Sequence, residues 1–127
     1  MDITPTFEQL KSCPTSYVTA VNDTLNILMG KWKLPILASL LYGKKRFKEL
    51  EKSIPNITAR MLSKELRELE LNGVVSRTVY DTVPVMIEYA LTESGQSIYK
   101  VLDVMLEWGI EHRKKVLAKE SPLLAAS

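Results

Sequence analysis

Residues 58–72 combine a predicted helix with side chains that can donate hydrogen bonds in register. At about 100° per residue, four polar residues fall on one face at spacings i, i+3, i+4 and i+7: Arg60, Ser63, Lys64 and Arg67. The opposite face is apolar and carries Leu62, Leu66 and Leu69. Arginine and lysine can donate to guanine O6 and N7 or to phosphates, and serine can donate or accept. The pattern therefore indicates contact with a major groove, and the alternative is an ordinary amphipathic surface helix.

Positive charge is concentrated around this helix. The whole chain has 17 Lys and Arg against 15 Asp and Glu, a formal net charge of +2. The segment from Lys44 to Arg67 holds eight basic and three acidic residues, so it carries +5 and leaves −3 for the rest of the chain. Such a concentration on a near-neutral chain is typical of a surface that binds a polyanion, although a solvated helical face is the alternative.

Charge is also distributed unevenly along the helix. Its basic residues lie toward the N-terminus, and Glu65, Glu68 and Glu70 lie mostly toward the C-terminus. This arrangement opposes the helix macrodipole by a few tenths of a kcal/mol per charge. Because the sequence shows no structural gain from it, we interpret it as a sign of function, in which the helix N-terminus and the basic side chains act together on phosphates.

Periodicity and turn residues predict the elements that position this helix. Helices are expected from about Val18 to Met29, from Trp32 to Tyr42, from Phe47 to Ser53, and from the N-cap Thr58 to Asn72, followed by strands over residues 74–80 and 85–91 and a long final helix that starts at Thr92. Residues 1–16 are interpreted as an arm with little regular structure, and the tail after Lys119 as frayed.

This order predicts an α+β, mainly α, fold: a winged helix-turn-helix with N-terminal and long C-terminal dimerisation helices. The 127 residues, 46% of them hydrophobic and 25% charged, correspond to one globular domain. The predicted parts are an arm over residues 1–16, helices over 18–43 and 93–118, and the helix-turn-helix with its wing over 44–91. The alternative is an α+β domain of unknown use.

The two strands form the candidate wing. Its tip, residues 81–84, has no basic residue, whereas Arg77 lies on the strand before it. A minor-groove contact by the wing therefore has less support than the contact by the helix. Lys44, Lys45 and Arg46 precede the third helix, and we expect them to hold phosphates.

Several motifs occur in a characteristic order: Gly30-Lys31-Trp32, Arg46-Phe47-Lys48-Glu49-Leu50, Ile57-Thr58-Ala59-Arg60-Met61-Leu62, Leu66-Arg67-Glu68-Leu69, Pro84 with Glu88-Tyr89-Ala90-Leu91-Thr92, and Glu93-Ser94-Gly95. Together they resemble the signatures of the HxlR-type family of winged helix-turn-helix transcription regulators. The similarity covers roughly Cys13 to Gly109 and is more specific than a bare helix-turn-helix. Two departures are Met29, where a second glycine is common, and Met86, where a basic wing residue is common.

The resemblance implies a homodimeric regulator whose N-terminal and C-terminal helices pair two subunits. It also implies a DNA role for the helix that begins near Thr58 and Ala59. Candidate interface residues on the pairing helices are Tyr17, Val21, Leu25, Leu102, Met105 and Leu106. The expected partners are a second copy of the chain and double-stranded operator DNA, with half-sites about 34 Å apart.

Cys13 lies just before the first predicted helix, and family members commonly carry a cysteine there. The resemblance implies thiol-based sensing of oxidants or of electrophiles such as quinones in some of them. A thiol near a helix N-terminus and basic residues would have a lowered pKa and react as thiolate. With no second cysteine in the chain, oxidation would give an intersubunit disulfide, a mixed disulfide or a sulfenic acid. The alternative is a buried, inert cysteine kept for packing.

Nothing in the sequence indicates an enzyme. His112 is the single histidine, which argues against a metal site. A Cys13/His112 dyad is formally conceivable, but no oxyanion hole, glycine-rich phosphate loop or pair of carboxylates supports it. We therefore predict no catalytic residue, no metal site and no cofactor.

The expected location is the cytoplasm, with no membrane partner. No apolar run approaches the roughly 20 residues that cross a bilayer, and the acidic start of the chain lacks the apolar segment of a secretory signal. Two alternative functions stay open: a winged-helix protein-interaction module that does not bind DNA, and a DNA-binding regulator controlled by a small ligand near the dimer helices. A steep salt dependence of nucleic-acid affinity would separate the first of these from a DNA-binding regulator.

Overall fold

Six helices and three short strands make up the part of the chain that the computed structural model describes, which is residues 6–124 without the side chains of Leu10 and of residues 120–124. They follow in the order α1 Phe7–Ser12, α2 Pro14–Leu28, α3 Lys33–Leu40, β1 Lys45–Arg46, α4 Phe47–Ser53, α5 Ala59–Leu71, β2 Val75–Tyr80, β3 Met86–Leu91 and α6 Glu93–Leu124. This order confirms the predicted winged helix-turn-helix with a long C-terminal helix. Among the described helices, none has the length and apolar character that crossing a bilayer requires.

The hydrophobic core lies between α3, α4, α5 and the base of the hairpin. Its buried residues are Ile36, Leu37, Leu40, Leu50, Ile54, Ile57, Leu62, Leu66, Leu69, Val74, Val75 and Leu91. Helix α5 contributes the three leucines that the helical spacing predicted. Burying each leucine stabilises the fold by about 1.5–3 kcal/mol relative to leaving it exposed. The core thereby holds α5 by one face and leaves the opposite face outward.

The three strands form one antiparallel sheet in the order β1-β3-β2. Leu91 lies opposite Val75 at the buried base of the hairpin, and Met86 lies opposite Tyr80 near its tip. The sequence did not predict β1, because a two-residue strand has no periodicity of its own. It forms because the free edge of β3 pairs with Lys45 and Arg46.

The N-terminal arm was predicted wrongly in the part that the structure describes. Residues 7–12 form α1, and α2 begins at Pro14 rather than at Val18. The Thr6 hydroxyl accepts a hydrogen bond from the Gln9 backbone, and the Gln9 side chain accepts one from the Thr6 backbone, a capping box that starts α1. Pro14 lies in the first turn of α2, where its missing N–H costs little. Residues 1–5 of the arm lie outside the described residues.

The prediction of a frayed tail after Lys119 was also wrong over the described residues. Helix α6 continues through this point to Leu124, and residues 114–119, which lead up to it, include strong helix formers. Residues 125–127 lie outside the described part of the chain.

The start of α6 is joined to the end of α5. The Thr92 hydroxyl donates to the Gly73 carbonyl at 2.6 Å, and the Thr92 backbone N–H donates to the Val74 carbonyl at 3.1 Å. The first turn of α6 lies so close to this segment that a Cβ on Gly95 would overlap the Val74 carbonyl oxygen. The long C-terminal helix is therefore fixed directly to the segment that follows α5.

Candidate nucleic-acid interface

A turn and a cap determine where α5 begins. Asn56 has a φ of +68°, a left-handed conformation that Asn tolerates better than most residues, and it reverses the chain between α4 and α5. Thr58 has extended backbone, and its hydroxyl accepts a hydrogen bond from the Met61 N–H at 3.1 Å. Its carbonyl accepts the first helical hydrogen bond, from the Leu62 N–H. The predicted role of Thr58 as N-cap is thus confirmed.

The outward face of α5 carries the four predicted donors, and we call it the reading face: Arg60, Ser63, Lys64 and Arg67. All four side chains are exposed. Within the described residues, none of them forms a salt bridge or a side-chain hydrogen bond. Ala59 is exposed at the N-terminal end of the same helix. The helix N-terminus and its basic side chains are therefore available to an anionic partner.

Arg77 extends this surface from the helix to the wing. An open hollow of about 420 Å³ lies between α5 and the sheet and is lined by Ser63, Arg67, Glu70, Arg77 and Tyr89. Arg77 belongs to the face of the hairpin that buries Val75 at its base, because alternate residues of a strand share a face. The structure thus brings one wing arginine together with two residues of the reading face. Glu70, which the sequence analysis did not place in a site, is the acidic residue of this hollow.

The stretch Lys44-Lys45-Arg46 does not form one patch. Lys45 lies opposite Tyr89 and therefore shares its face of the sheet. Arg46 lies opposite Glu88 on the other face, where Lys44 Nζ is 3.6 Å from Glu88 Oε1. Strand β1 therefore divides these residues between two faces of the wing, and their contact with phosphates stays a prediction.

The guanidinium of Arg46 reaches the wing across the sheet. Its Nη2 atom contacts Met86 Sδ, and its backbone N–H donates to Glu49 Oε1 at 2.9 Å at the start of α4. Met86 occupies the position where the family resemblance led us to expect a basic side chain. Arg46 consequently places a positive charge next to this position from a neighbouring strand, which the sequence alone did not show.

A buried lysine, which the sequence analysis missed, holds α5 against α3. Lys33 is 8% exposed, and its Nζ lies 2.8 Å from Glu65 Oε2 and 2.5 Å from Glu68 Oε2. Burial alone would lower the pKa of Lys33, but the hydrogen bonds and charges of the two glutamates raise it above its usual value. The hydrogen bond and charge of Lys33 lower the pKa of Glu68.

This ion pair changes the interpretation of the acidic residues of α5. Their position toward the C-terminus was attributed to function because no structural gain was evident. For Glu65 and Glu68 the structure supplies such a gain, since both pair with Lys33. A sequence signal was present: a lysine at position 33 interrupts the otherwise apolar start of α3, and a charged residue there requires a buried partner.

Cys13 is exposed and lies immediately before α2. Ser16 Oγ donates a hydrogen bond to Cys13 Sγ at 3.4 Å. This bond, followed by the backbone N–H of Ser16, lowers the pKa of the thiol. The alternative of a cysteine kept for packing requires a buried thiol, but in this single chain the thiol is exposed. Beside it, a groove of about 320 Å³ runs between α1 and α2 and is lined by Phe7, Lys11, Tyr17, Ala20, Val21 and Thr24.

Exposed apolar side chains concentrate on α2 and α6. Five of the six candidate interface residues are exposed, namely Tyr17, Val21, Leu25, Met105 and Leu106, and Leu102 is half-buried. The outer part of α6 adds Trp108, which is 66% exposed and stacks on His112 at 4.6 Å between ring centroids. Trp32, in contrast, packs against the core. A smaller apolar concavity of about 160 Å³ joins α2, the start of α3 and α6.

The fold and the reading face define a winged helix-turn-helix protein of the class that regulates transcription. Residues 27–116 match the model of the HxlR-like helix-turn-helix family, and the chain belongs to this family. It is 44% identical over 111 residues to the HTH-type transcriptional regulator YtcD of Bacillus subtilis (strain 168). The aligned region covers 87% of this chain and 88% of YtcD. This is a family of transcriptional regulators, which is not a class of enzymes.

Two solved structures of similar proteins are of regulators in a stated redox or ligand-bound form. The redox regulator HypR in its reduced form has a TM-score of 0.69 at 42% identity, covering 78% of this chain and 98% of that one. The quinone-bound form of YodB from B. subtilis has a TM-score of 0.64 at 33% identity, covering 78% of this chain and 99% of that one.

Proposed function

We propose that this regulator binds double-stranded operator DNA as a C2 homodimer, with α5 of each subunit in a major groove. The observation that carries the proposal is the reading face, whose four donors are exposed and unpartnered within the described chain. Arg60, in the first turn of α5, and Lys64 would contact phosphates or guanine edges, and Ser63 and Arg67 would read bases. Thr58 and Ala59 would bring the backbone N–H groups of the first turn to a phosphate.

Basic residues on both faces of the wing would be available to contact the DNA backbone. Arg77 and Lys45 share one face of the sheet, and Arg46 and Lys44 lie on the other. Lys44 is engaged with Glu88 only through a long ion pair, and its side chain is 62% exposed. The Glu88 side chain is only 16% exposed, but at 3.6 Å the exposed lysine is loosely held and could turn to a phosphate instead.

The dimer would form through α2 and α6. Their exposed apolar residues, among them Tyr17, Val21 and Leu106, are of the kind that marks protein–protein contact surfaces when they lie together. Covering them with the same helices of a second subunit would place two copies of α5 on one side of the dimer. Sedimentation of the full chain tests this step. A dimer that Val21→Glu/Leu106→Glu converts into a folded monomer is the expected result, whereas a monomeric wild-type chain would contradict it.

Cys13 is proposed as the sensing residue. Its lowered pKa, its exposure and its place next to α2 would allow an oxidant or electrophile to modify the thiolate and shift the two copies of α5 relative to each other. The similar structures of a redox regulator and of a quinone-bound regulator support this choice. Control by a small ligand in the groove between α1 and α2 is the second candidate, which the lining of that groove by Phe7, Tyr17 and Val21 favours.

The experiment that tests the proposal is a gel-shift titration of the purified protein on the DNA upstream of its own gene, reduced and oxidised. Arg60→Ala/Lys64→Ala should abolish binding to a discrete site. Lys100→Ala/Arg113→Ala on α6, which removes the same charge from exposed positions, should leave it intact. Weak, sequence-indifferent binding that Arg60→Ala/Lys64→Ala does not change would instead support the protein-interaction module.

The same assay separates the two modes of control. If Cys13 is the sensor, Cys13→Ser should stay on DNA in the presence of diamide or a benzoquinone, whereas the wild-type protein should be released. Release of Cys13→Ser by either compound would reject the thiol mechanism and leave ligand control.

A further inference from the structure

Lys33 is placed where a lysine is unfavourable on two counts. It is the first residue of α3, so its positive charge lies at the positive end of a helix dipole. It is also buried, and taking an ammonium group out of water is costly unless it is paired. Glu65 and Glu68 supply that pairing, and both belong to α5. Within the described residues, the contacts that compensate this lysine are therefore contacts to the helix that carries the reading face.

The positions of the two glutamates on α5 determine what the ion pairs can fix. Glu65 follows Lys64 and Glu68 follows Arg67 in the sequence, so each lies about 100° around the helix from a residue of the reading face. Three leucines hold α5 by van der Waals contact, which permits small rolls and slides. The ammonium of Lys33 holds two carboxylates that lie one helical turn apart. If α5 rolled or slid, at least one of these two hydrogen bonds would break.

We propose that Lys33 is a positioning residue for DNA reading: its pairs with Glu65 and Glu68 fix the rotation and axial position of α5 and offset one of the two negative charges beside the reading face. This inference rests on the proposed DNA function. Without Lys33, α5 would present two unpaired carboxylates next to Lys64 and Arg67, and its donors would no longer be held in register with the bases. Contacts to bases require such register, whereas contacts to phosphates require mainly charge.

The test compares affinity for the operator with affinity for an unrelated duplex, both measured by fluorescence anisotropy at several salt concentrations. The Lys33→Met variant should lose about tenfold in the ratio of the two affinities, as expected when one base contact is lost. In Lys33→Met/Glu65→Gln/Glu68→Gln no carboxylate is left unpaired, so affinity for the unrelated duplex should match or exceed that of the wild-type protein. The ratio of operator affinity to unrelated-duplex affinity should remain low in this triple variant, because the position of α5 relative to the bases is still not fixed. The Lys33→Arg variant keeps a charge that can reach both carboxylates and should retain most of the ratio.

Controls separate positioning from stability and from the function itself. Ile36→Val, a fully buried change on the same helix, lowers stability without touching the ion pairs and should leave the ratio unchanged at a temperature where all variants are folded. If Lys33→Met does not fold, the triple variant and Lys33→Arg carry the comparison. The inference would be rejected, and the DNA function left standing, if Lys33→Met and the triple variant both kept the wild-type ratio of affinities. If Lys33→Met does not fold, the same ratio in the triple variant alone would reject it. Absence of any site-specific binding by the wild-type protein would reject the DNA function and this inference with it.

Discussion

Lys33 Nζ lies 2.8 Å from Glu65 Oε2, although the two residues are 32 positions apart and belong to different helices. The same nitrogen binds Glu68, one turn further along α5. Helix α5 is therefore held by leucines on its buried face and by an ion pair at the edge of that face, and the reading face is left to a partner. The ion pair also makes the stability of the helix-turn-helix depend on pH.

Acid should remove the contribution of Glu68 to stability. Because Lys33 lowers the folded-state pKa of Glu68 below its usual value of 4.5, this contribution is present above pH 4.5 and is lost as the pH falls through the folded-state pKa. Urea unfolding at pH 7, 4.5 and 3 should show that wild-type protein is more stable than Glu68→Gln at neutral pH and that the difference shrinks in acid. Lys33, whose pKa is raised, keeps its charge over this whole range. A difference that is independent of pH would contradict the assignment.

Substitutions of Thr58 should separate the stability of α5 from its affinity for DNA. Thr58→Ala removes the hydroxyl that accepts from Met61 N–H and should destabilise the protein by about 1 kcal/mol. Thr58→Ser should preserve both properties. Thr58→Asp keeps a good N-cap but puts a negative charge at the end of the helix that would face phosphates, so it should preserve stability and weaken DNA binding.

Thermal unfolding and anisotropy titrations of the same three protein samples check this prediction. Thr58→Asp that binds operator DNA as tightly as Thr58→Ser would show that the N-terminus of α5 does not face the DNA backbone. The control for charge is Thr6→Asp, which places the same charge at the N-cap of α1, outside the proposed DNA interface.

What the sequence predicted well was local. Helix α5 has a 3.6-residue period, an N-cap at Thr58 and a stop at Gly73, and its bounds were predicted to within one residue. The hairpin was predicted from two β-rich runs around a turn. Each of these signals lies within about 15 residues of chain, and neighbouring signals agree with one another.

What the sequence did not predict depended on contacts between distant segments. Strand β1 exists because β3 offers it an edge, and the role of Lys33 depends on glutamates more than 30 positions away. The contact of Arg46 with Met86 spans 40 positions. Helix α1 is a different case, since its capping box was readable at Thr6 and Gln9, but the prolines on either side were given more weight as helix breakers.

The reactivity of Cys13 should depend on Ser16. The Ser16 hydroxyl is the largest cause of the lowered pKa of the thiol, so Ser16→Ala should raise that pKa and reduce the thiolate fraction at pH 7. The rate of alkylation by iodoacetamide, measured from pH 6 to 10, should rise at a higher pH in Ser16→Ala than in the wild-type protein. Thr19→Ala on the same helix loses a hydroxyl that donates to the Thr15 carbonyl and does not contact the thiol, so its profile should match the wild type. Identical profiles for Ser16→Ala and wild type would show that the hydroxyl does not stabilise the thiolate.

Two glycines of α6 provide a matched test of how this helix is fixed to α5. A Cβ at Gly95 would overlap the Val74 carbonyl oxygen, whereas a Cβ at Gly109 would meet no atom within 4 Å in the described chain. Alanine gains helix propensity at both sites, up to about 0.8–1.0 kcal/mol at Gly109 in the helix interior and less at Gly95 in the first turn. Gly109→Ala should therefore raise the free energy of unfolding by up to that amount, while Gly95→Ala should lower it by about 1–3 kcal/mol because the first turn of α6 must move away from Val74. Urea unfolding of both variants at one protein concentration measures the difference.

If Gly95→Ala proved as stable as Gly109→Ala, the close contact between α6 and the segment that follows α5 would be absent in solution. A loss of operator affinity in folded Gly95→Ala, with Gly109→Ala unchanged, would show that this contact also transmits the position of α6 to the reading face.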